Sequence, residues 1–471
     1  MPRFNSALEC AAAIRTKSVS PVEVLDHYLA EVDRLDPKLN AFSLRDDERA
    51  RADAAAAAEV IANTPADDLP PFIGVPIPIK DLSNVEGWLT SMGSNAVPEV
   101  PAVEDDLPIA RLRDAGFVLM GKTTTPEFGS ISMTESQRFG ATRNPWNPDF
   151  TPGGSSGGAG AAVASGMAPI AHGSDGGGSI RIPASCNGLV GLKASRHRIT
   201  DRTSPMVGAS TSGVLARTVA DSAALLDVMA LLDCGAWSNS PAPQRPWAHE
   251  VGVDPGKLRI RVAQTNALGM PVAPSCSQAA SETADLLADL GHEVTETDPE
   301  WPDAGGFLSA FLTVWSTITA SNDGLAPDRL EPHNRASHSQ AMATSSIEYA
   351  KAVLTLQRAS RSVVGQFGRD FDVLVTPTMA IEPPRVGSIW IGAEDDASMP
   401  VMNAAPMAAF TAMFNVTGQP AISLPLATTD AGLPIGVHFI SSPWQEAQLI
   451  RLASQIESER PWADRWPDVV G

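Results

Sequence analysis

Two serines set among glycines are the residues of this chain best suited to covalent chemistry. Ser155 lies in the glycine-rich run 153–158, and Ser179 follows three glycines at 176–178. Glycine has no Cβ, so backbone N–H groups can approach a ligand closely at such positions. A serine hydroxyl held there can attack a carbonyl while nearby amides stabilise the oxyanion that forms. The stretch therefore indicates nucleophilic catalysis at an acyl group.

Lys80 is the third candidate, because it stands near the end of the short apolar segment 74–81. Burial disfavours the ammonium form of lysine, so a buried Lys80 would have a lowered pKa and could act as a general base. Taken alone, a lysine at this place is typical of an exposed strand end. Together with Ser155 and Ser179, it predicts a Ser-Ser-Lys relay that works through an acyl-enzyme.

Two other patterns match signatures of different chemistry. Residues 116–123 match the phosphate-loop pattern, but the four apolar residues inside it fit a buried strand better than a loop around phosphates. Residues 153–157 match the nucleophile elbow of Ser-His-Asp esterases. The three prolines in residues 144–152 argue against the central strand that such an elbow needs. The esterase, with His172 or His438 as its base, stays an alternative.

Composition and charge narrow the class of protein. The 471 residues include 34 basic and 54 acidic side chains, which gives a net charge of −20. Such a field repels phosphate backbones and anionic membranes, so we expect neither nucleic acid nor membrane as a partner. The 4 cysteines lie far apart, which argues against a disulfide framework and a CxxC metal site. We expect no metal and no cofactor. Without a signal-peptide core or a spanning apolar run, a cytoplasmic location is predicted.

Strands and helices are predicted to alternate along the chain, which favours one large α/β domain. A capping box at residues 20–23 begins a helix that is predicted to reach about residue 35. The predicted strands are 74–81 (at a sheet edge), 117–120, 259–263, 292–296, 371–375, 421–425 and 435–440. The remaining predicted helices are 52–62, 157–167, 214–232 and 277–290, with further helices in 303–370.

These motifs together resemble the amidase signature family. The resemblance rests on GGSSGG at 153–158, GSDGGGSIRIPA at 173–184 and GLK at 191–193. It extends through GVPIPIKD, GKTTTPEF, GATRNPWN, LARTVAD, DVLVTPT and FNVTGQPAISLP, in the expected order. The fold that it implies is a single α/β/α sandwich, in which helices cover a central twisted mixed β-sheet. It also implies one domain over 1–471, a catalytic core at 74–200 and a variable substrate-pocket region at 235–412.

The same resemblance implies roles for individual residues. Ser179 would be the nucleophile, and Ser155, after a cis peptide bond, would bridge Ser179 and the base Lys80. Asp175 and Arg181 would brace the nucleophile loop without reacting. The oxyanion hole would consist of the amides of Gly176, Gly177, Gly178 and Ser179. The acyl side of the pocket would be lined by Gly129, Ser130, Ile131 and Ser132. Further apolar pocket residues are expected among Trp315, Trp390, Met399, Met402, Met407 and Phe410.

The chain departs from the family pattern at three places. Gly176 stands where family members usually carry a larger residue, and Ala194-Ser195 replaces the proline and threonine that usually follow GLK. Ile182 replaces the glutamine typical of glutamine-transamidating subunits, which argues against the amidase-type subunit of a glutamine-dependent tRNA amidotransferase. Such a role nevertheless stays an alternative. His172 is expected to be a packed residue at a helix end.

The activity implied by the resemblance is hydrolysis of C–N bonds in small amides or carbamates, with water as the second substrate. Within the family, the chain resembles bacterial cyclic-dimer hydrolases, aryl acylamidases and urethane-cleaving amidases. Anilides, cyclic or oligomeric amides and urethanes are therefore the expected substrate classes. A homodimer is compatible with the sequence.

Overall fold

The computed structural model describes residues 3–203 and 205–470. In chain order its strands are β1 (Phe42–Arg45), β2 (Pro76–Lys80), β3 (Val118–Thr123), β4 (Glu135–Ser136), β5 (Gly140–Ala141), β6 (Ala171–Asp175), β7 (Val190–Lys193), β8 (Thr211–Ala216), β9 (Arg259–Val262), β10 (Glu293–Glu296), β11 (Val373–Pro377), β12 (Ala421–Thr428) and β13 (Pro434–Ser441).

The α-helices are α1 (Ala7–Arg15), α2 (Pro21–Leu39), α3 (Asp47–Asn63), α4 (Leu107–Asp114), α5 (Gly157–Ala164), α6 (Arg181–Asn187), α7 (Pro205–Gly208), α8 (Val219–Met229), α9 (Pro274–Asp289), α10 (Ala304–Trp315), α11 (Thr317–Ala320), α12 (Pro332–Ala343), α13 (Ser346–Val364), α14 (Met399–Ala408), α15 (Ala412–Thr417) and α16 (Glu446–Glu459). The capping box predicted at the start of α2 is confirmed, with Ser20 and Glu23 bonding reciprocally.

Eight strands form the central sheet, in the order β10-β9-β11-β13-β12-β7-β8-β6. The pairs β10–β9 and β9–β11 are parallel, and the remaining pairs are antiparallel. The sheet is therefore mixed. The predicted βαβ unit of β9, α9 and β10 is present.

Helices cover both faces of this sheet. Strand β11 shows this, since successive side chains of a strand point to opposite faces of its sheet. Val373 and Val375 of β11 share a buried cluster with Leu287 of α9 and Leu449 of α16. Leu374, between them in sequence, packs in a different cluster with residues of α10 and α13. The predicted α/β fold with a helix-covered mixed sheet is confirmed.

A three-stranded sheet in the order β1-β3-β2 carries Lys80. Strand β2 lies at its edge, as its two prolines predict, and pairs in parallel with β3. All residues of β3 are buried, and Gly121, Lys122 and Thr123 belong to the strand. Most of the phosphate-loop pattern is thus part of a strand and does not form a loop of the kind that wraps around phosphates.

The predicted helix 214–232 is wrong in its first part. Residues 211–216 form β8, which pairs with β6 and β7, and the helix begins only at Val219. Thr218 caps this helix by accepting a hydrogen bond from the Asp221 amide. Sheet pairing outweighs the apolar pattern that resembled a longer helix. Strands β1, β4, β5, β6 and β7 were also not predicted.

Among the described residues, no helix combines the length and apolar character needed to cross a membrane. That part of the chain also contains no group of three or more His, Cys, Asp or Glu side chains placed to hold a metal ion.

Candidate active site

Three separate elements bring the relay candidates together. Lys80 is the last residue of β2, Ser155 lies just before α5, and Ser179 lies in the loop between β6 and α6. The Nζ atom of Lys80 donates to Ser155 Oγ at 2.8 Å. The backbone amide of Ser156 donates to the carbonyl of Ser179 at 3.3 Å, which ties the two serine segments to each other.

Burial lowers the pKa of Lys80 to about 7, against a weaker opposite effect of the Asp175 charge. The lysine side chain is fully buried, and besides Ser155 it donates to the Ser174 carbonyl at 3.2 Å and the Ser174 hydroxyl at 3.1 Å. An ammonium group loses water on burial, and these neutral acceptors only partly replace it. Lys80 therefore sits where a neutral amine is accessible near neutral pH.

The surroundings of Ser155 have two notable features, a cis peptide bond before it and a neighbouring loop. The peptide bond between Gly154 and Ser155 is cis, as the resemblance to the family implied. A Cβ added at Gly129 would lie 2.9 Å from Ser155 Oγ, so the loop 129–132 passes directly beside this hydroxyl. No strand occurs between β5 and α5 in this fully described stretch, unlike the nucleophile elbow of Ser-His-Asp esterases.

The loop from β6 to α6 presents Ser179 and depends on one glycine for its path. Gly178 has φ +134°, and a Cβ there would come within 2.2 Å of Thr411 Oγ1. The Thr411 hydroxyl donates to the carbonyl of Gly177 at 2.6 Å. The Gly178 amide donates to Asp175 Oδ1 at 2.8 Å, so this member of the predicted oxyanion set is engaged within the loop.

Asp175 and Arg181 form a fully buried ion pair at 2.9 Å below the loop. Asn415 joins them, because its amide nitrogen donates to Asp175 and its oxygen accepts from Arg181. Burial alone would raise the pKa of Asp175, but the Arg181 charge and hydrogen bonds outweigh it and hold that pKa well below its usual range. The carboxylate form of Asp175 is therefore favoured, and it accepts hydrogen bonds from the loop amides.

Neither histidine of the esterase alternative is placed to act as the general base of a serine nucleophile. His172 sits on strand β6, not at a helix end as expected, and burial lowers its pKa to about 3. Among the described residues, neither of its ring nitrogens has a hydrogen-bond partner. His438 Nε2 faces Arg181 Nη1 at 3.0 Å. Burial and this arginine hold the pKa of His438 well below its ordinary value.

A small pocket of about 70 Å³ opens beside Ser179. All four residues of the predicted loop, Gly129 to Ser132, line it, and so do Trp315 and Met402. Met407 and Phe410, also expected there, are buried in core clusters. The pocket walls are otherwise apolar and include Leu268, Leu308, Phe311, Leu312, Val401 and Ala404.

The wall formed by α10 was not recognised in the sequence beyond Trp315. Leu308, Phe311, Leu312 and Trp315 follow helical spacing, so they share one face of α10. That spacing was the available signal, but a face of this kind is equally typical of core packing. The Nε1 atom of Trp315 donates to the Ser130 carbonyl at 3.1 Å and joins this helix to the loop 129–132.

Ser130 is also connected to a buried polar cluster outside the pocket. Its Oγ atom lies 3.3 Å from Nε2 of His333 and bonds the Glu127 carbonyl at 3.0 Å. The Glu127 carboxylate in turn accepts from Ser94 and Asn334. This network fixes the pocket loop to α12.

Comparisons with known proteins identify the family and the fold of this chain. The Amidase family model matches residues 23–450. The 6-aminohexanoate-cyclic-dimer hydrolase of Paenarthrobacter ureafaciens is 36% identical, covering 99% of this chain and 97% of that protein. A solved structure of a 6-aminohexanoate cyclic dimer hydrolase with substrate superposes with a TM-score of 0.92 at 34% identity, covering 99% of each chain.

A bacterial aryl acylamidase of the amidase signature family shares the fold, with a TM-score of 0.85 at 24% identity over 99% of this chain and 98% of that one. The family match spans most of the chain and the relatives match it nearly end to end. The chain belongs to the Amidase family, whose members are hydrolases acting on amide bonds.

Proposed function

We propose that this amidase cleaves its substrate through a relay of Ser179, Ser155 and Lys80. The observation that carries the proposal is the 2.8 Å contact between Lys80 Nζ and Ser155 Oγ, made by a buried lysine with a pKa of about 7. A base with such a pKa is well matched to proton transfer near neutral pH.

In the first half of the reaction, Ser179 Oγ attacks the amide carbonyl carbon. Its proton passes to Ser155 Oγ, which gives its own proton to neutral Lys80. The proton then returns through Ser155 to the amine nitrogen, the C–N bond breaks, and the amine leaves an acyl-Ser179 ester. In the second half, water attacks that ester by the same relay, and the carboxylic acid and free Ser179 are released.

The developing oxyanion is assigned to the backbone amides of Gly176, Gly177 and Ser179. Gly178 is left out of this set, since its amide donates to Asp175. Removal of one oxyanion donor typically costs about 3 kcal/mol of transition-state stabilisation, so the geometry of this loop contributes to the rate in addition to the nucleophile. Asp175 and Arg181 act as positioning residues beneath it.

Small amides are the proposed substrates, with cyclic and oligomeric amides, anilides and carbamates as the classes to distinguish. The likeness to 6-aminohexanoate-cyclic-dimer hydrolases and the apolar pocket beside Ser179 support this choice. Neither a metal nor an organic cofactor takes part in the proposed steps.

We also propose that the chain acts alone in the cytoplasm as one domain, with its catalytic core at 74–200 and its variable pocket region at 235–412. The four cysteines are free, which suits a reducing compartment. A chain belonging to an amidotransferase would instead need partner chains to transfer ammonia. Hydrolysis of amides by the purified chain alone would exclude that alternative.

The decisive experiment is a panel of an anilide, an aliphatic amide, a cyclic amide and an aryl carbamate, assayed with wild type and Ser179→Ala. We expect turnover of at least one class in wild type and loss of it in the variant. Turnover that survives in Ser179→Ala would refute the mechanism. The esterase alternative is tested separately with His172→Gln, which we expect to keep activity.

A further inference from the structure

A second, larger cavity of about 360 Å³ adjoins the active site. It shares two walls with the pocket beside Ser179, since Phe311 and Trp315 line both. These two rings stack with their centroids 5.3 Å apart. The cavity also reaches the proposed oxyanion loop, because its lining residue Met206 has its methyl carbon 2.6 Å from where a Cβ of Gly176 would be.

The charge of this cavity is opposite to that of the molecule. Its charged lining residues, within the described chain, are Arg196 and Arg361, whereas the whole chain carries a net charge of −20. Arg196 is held in place by donating to the carbonyls of Gly208, Asn415 and Val416. Arg361 lies on the exposed face of α13. Two guanidinium groups without an acidic neighbour in the wall favour a carboxylate ligand.

Apolar side chains among the remaining lining residues form a floor for the cavity. They include Val314 and, on α13, Val353, Leu356 and Val364. An alkyl chain that links the reacting bond to the carboxylate would pack on this floor. The pocket beside Ser179 has about 70 Å³ and is walled mainly by apolar residues, so it suits a compact acyl group. The two cavities therefore differ both in size and in charge.

We propose that the 360 Å³ cavity binds the leaving amine and that this amine carries a carboxylate at the end of an apolar chain. The preferred substrates are then N-acyl ω-amino acids, with Arg361 and Arg196 as specificity-determining residues. This proposal rests on the proposed amide hydrolysis at Ser179 and adds the identity of the amine side.

The test compares two amides that differ only at the far end of the amine. N-butanoyl-6-aminohexanoate carries a carboxylate there, and N-butanoyl-hexylamine carries a methyl group. Amine release is measured for wild type, Arg361→Gln and the control Arg358→Gln, which removes the same charge from an exposed position of α13 that does not line the cavity. Binding of both amides to Ser179→Ala, with and without Arg361→Gln, is measured by calorimetry.

We expect wild type to prefer the carboxylate substrate in kcat/KM by about tenfold, a typical effect of one partly exposed charge-assisted contact. Arg361→Gln should reduce this preference through KM, because only Arg196 then remains to bind the carboxylate, whereas Arg358→Gln should leave the preference as in wild type. Calorimetry should show that Arg361→Gln, added to Ser179→Ala, weakens binding of the carboxylate amide in the same proportion. Because the guanidinium acts through charge, the preference should also shrink as salt is raised.

An equal kcat/KM for the two amides, or an equal loss with both in Arg361→Gln, would overturn this inference. In that case, hydrolysis of N-butanoyl-hexylamine that disappears in Ser179→Ala would show that the proposed mechanism still holds. Hydrolysis that persists in Ser179→Ala would instead refute the mechanism itself.

Discussion

Lys80 shows how a single side chain acquires its chemistry from its surroundings. Its amine is enclosed by the backbone and hydroxyl of Ser174 and by Ser155, all of them neutral groups. The charge of Asp175 favours the ammonium form, but burial is the larger effect and brings the pKa of Lys80 to about 7. A carboxylate in direct contact would have kept this lysine protonated and unable to accept a proton.

The first prediction concerns the acid limb of the pH profile. Because Lys80 must be neutral to accept a proton, kcat/KM should be fully present above a pKa of about 7 and fall as the pH drops through it. Lys80→Ala should lower kcat/KM by about 10³-fold and abolish this limb. Steady-state kinetics from about pH 5 to 9 measure both effects. A wild-type profile that is flat across pH 7 would count against Lys80 as the base.

The second prediction concerns Gly176, where a Cβ would lie 2.6 Å from the methyl carbon of Met206. Gly176→Ala should displace the flexible end of this methionine into the larger cavity and raise KM for amides of bulky amines by several-fold. The double variant with Met206→Ala should restore KM, since the methyl carbon is then absent. If the double variant is as impaired as Gly176→Ala, the contact does not matter for substrate binding.

At the scale of elements, the nucleophile loop is shaped by a segment far from it in sequence. Thr411, just before α15, bonds the carbonyl of Gly177, and Asn415 within α15 bonds Asp175. The loop between β6 and α6 is thus held by α15 as well as by its own glycines. An amide-rich loop supported in this way can keep the defined geometry that the proposed oxyanion hole requires.

The third prediction tests this support. Thr411→Val keeps the shape of the side chain but removes the hydrogen bond to Gly177, so we expect kcat to fall by about tenfold with little change in KM. Thr411→Ser retains the hydroxyl and should stay close to wild type. Thermal unfolding of both variants provides the control for folding. A Thr411→Val enzyme with wild-type kcat would show that the bond does not position the oxyanion amides.

At the scale of the whole molecule, two carboxylates, one half-buried and one fully buried, join distant parts of the chain. Glu457 of α16 accepts from the Val219 amide at the start of α8. Asp221, in the same helix α8, accepts from the amides of Ala7 and Leu8 at the start of α1. Burial raises the pKa of Glu457 to about 7, and the charge of Asp221 adds to this effect.

The fourth prediction is a pH dependence of stability. A folded-state pKa above the unfolded value means that the native state binds the proton more tightly. The contribution of Glu457 to the free energy of unfolding is therefore fully present below about pH 4.5 and is lost as the pH rises through about 7. Wild type should lose on the order of 2 kcal/mol of unfolding free energy across this range relative to Glu457→Gln.

Urea denaturation at about pH 5 and pH 8 measures this difference. Glu459→Gln is the control, because Glu459 is exposed on the same helix and its replacement should leave the pH dependence of wild type unchanged. Parallel pH curves for wild type and Glu457→Gln would contradict the assignment.

Several features could be predicted from local residue patterns because their physical causes are local. The capping box of α2, the edge position of β2 and the buried strand β3 follow from side chains within a few residues of each other. Where pairing partners lie far away, the same reasoning failed. Residues 214–216 became part of β8 because β6 and β7 were available to pair with them.

The sequence by itself determined the α/β class and the candidates for the reacting groups, since motif order and the alternation of elements are properties of the chain alone. Only the tertiary structure decided the lowered pKa of Lys80, the engagement of the Gly178 amide and the walls of the two cavities. The physical reason is that desolvation and cavity shape are sums over contacts. Those contacts come from segments such as β6, α10 and α13, which only folding brings together.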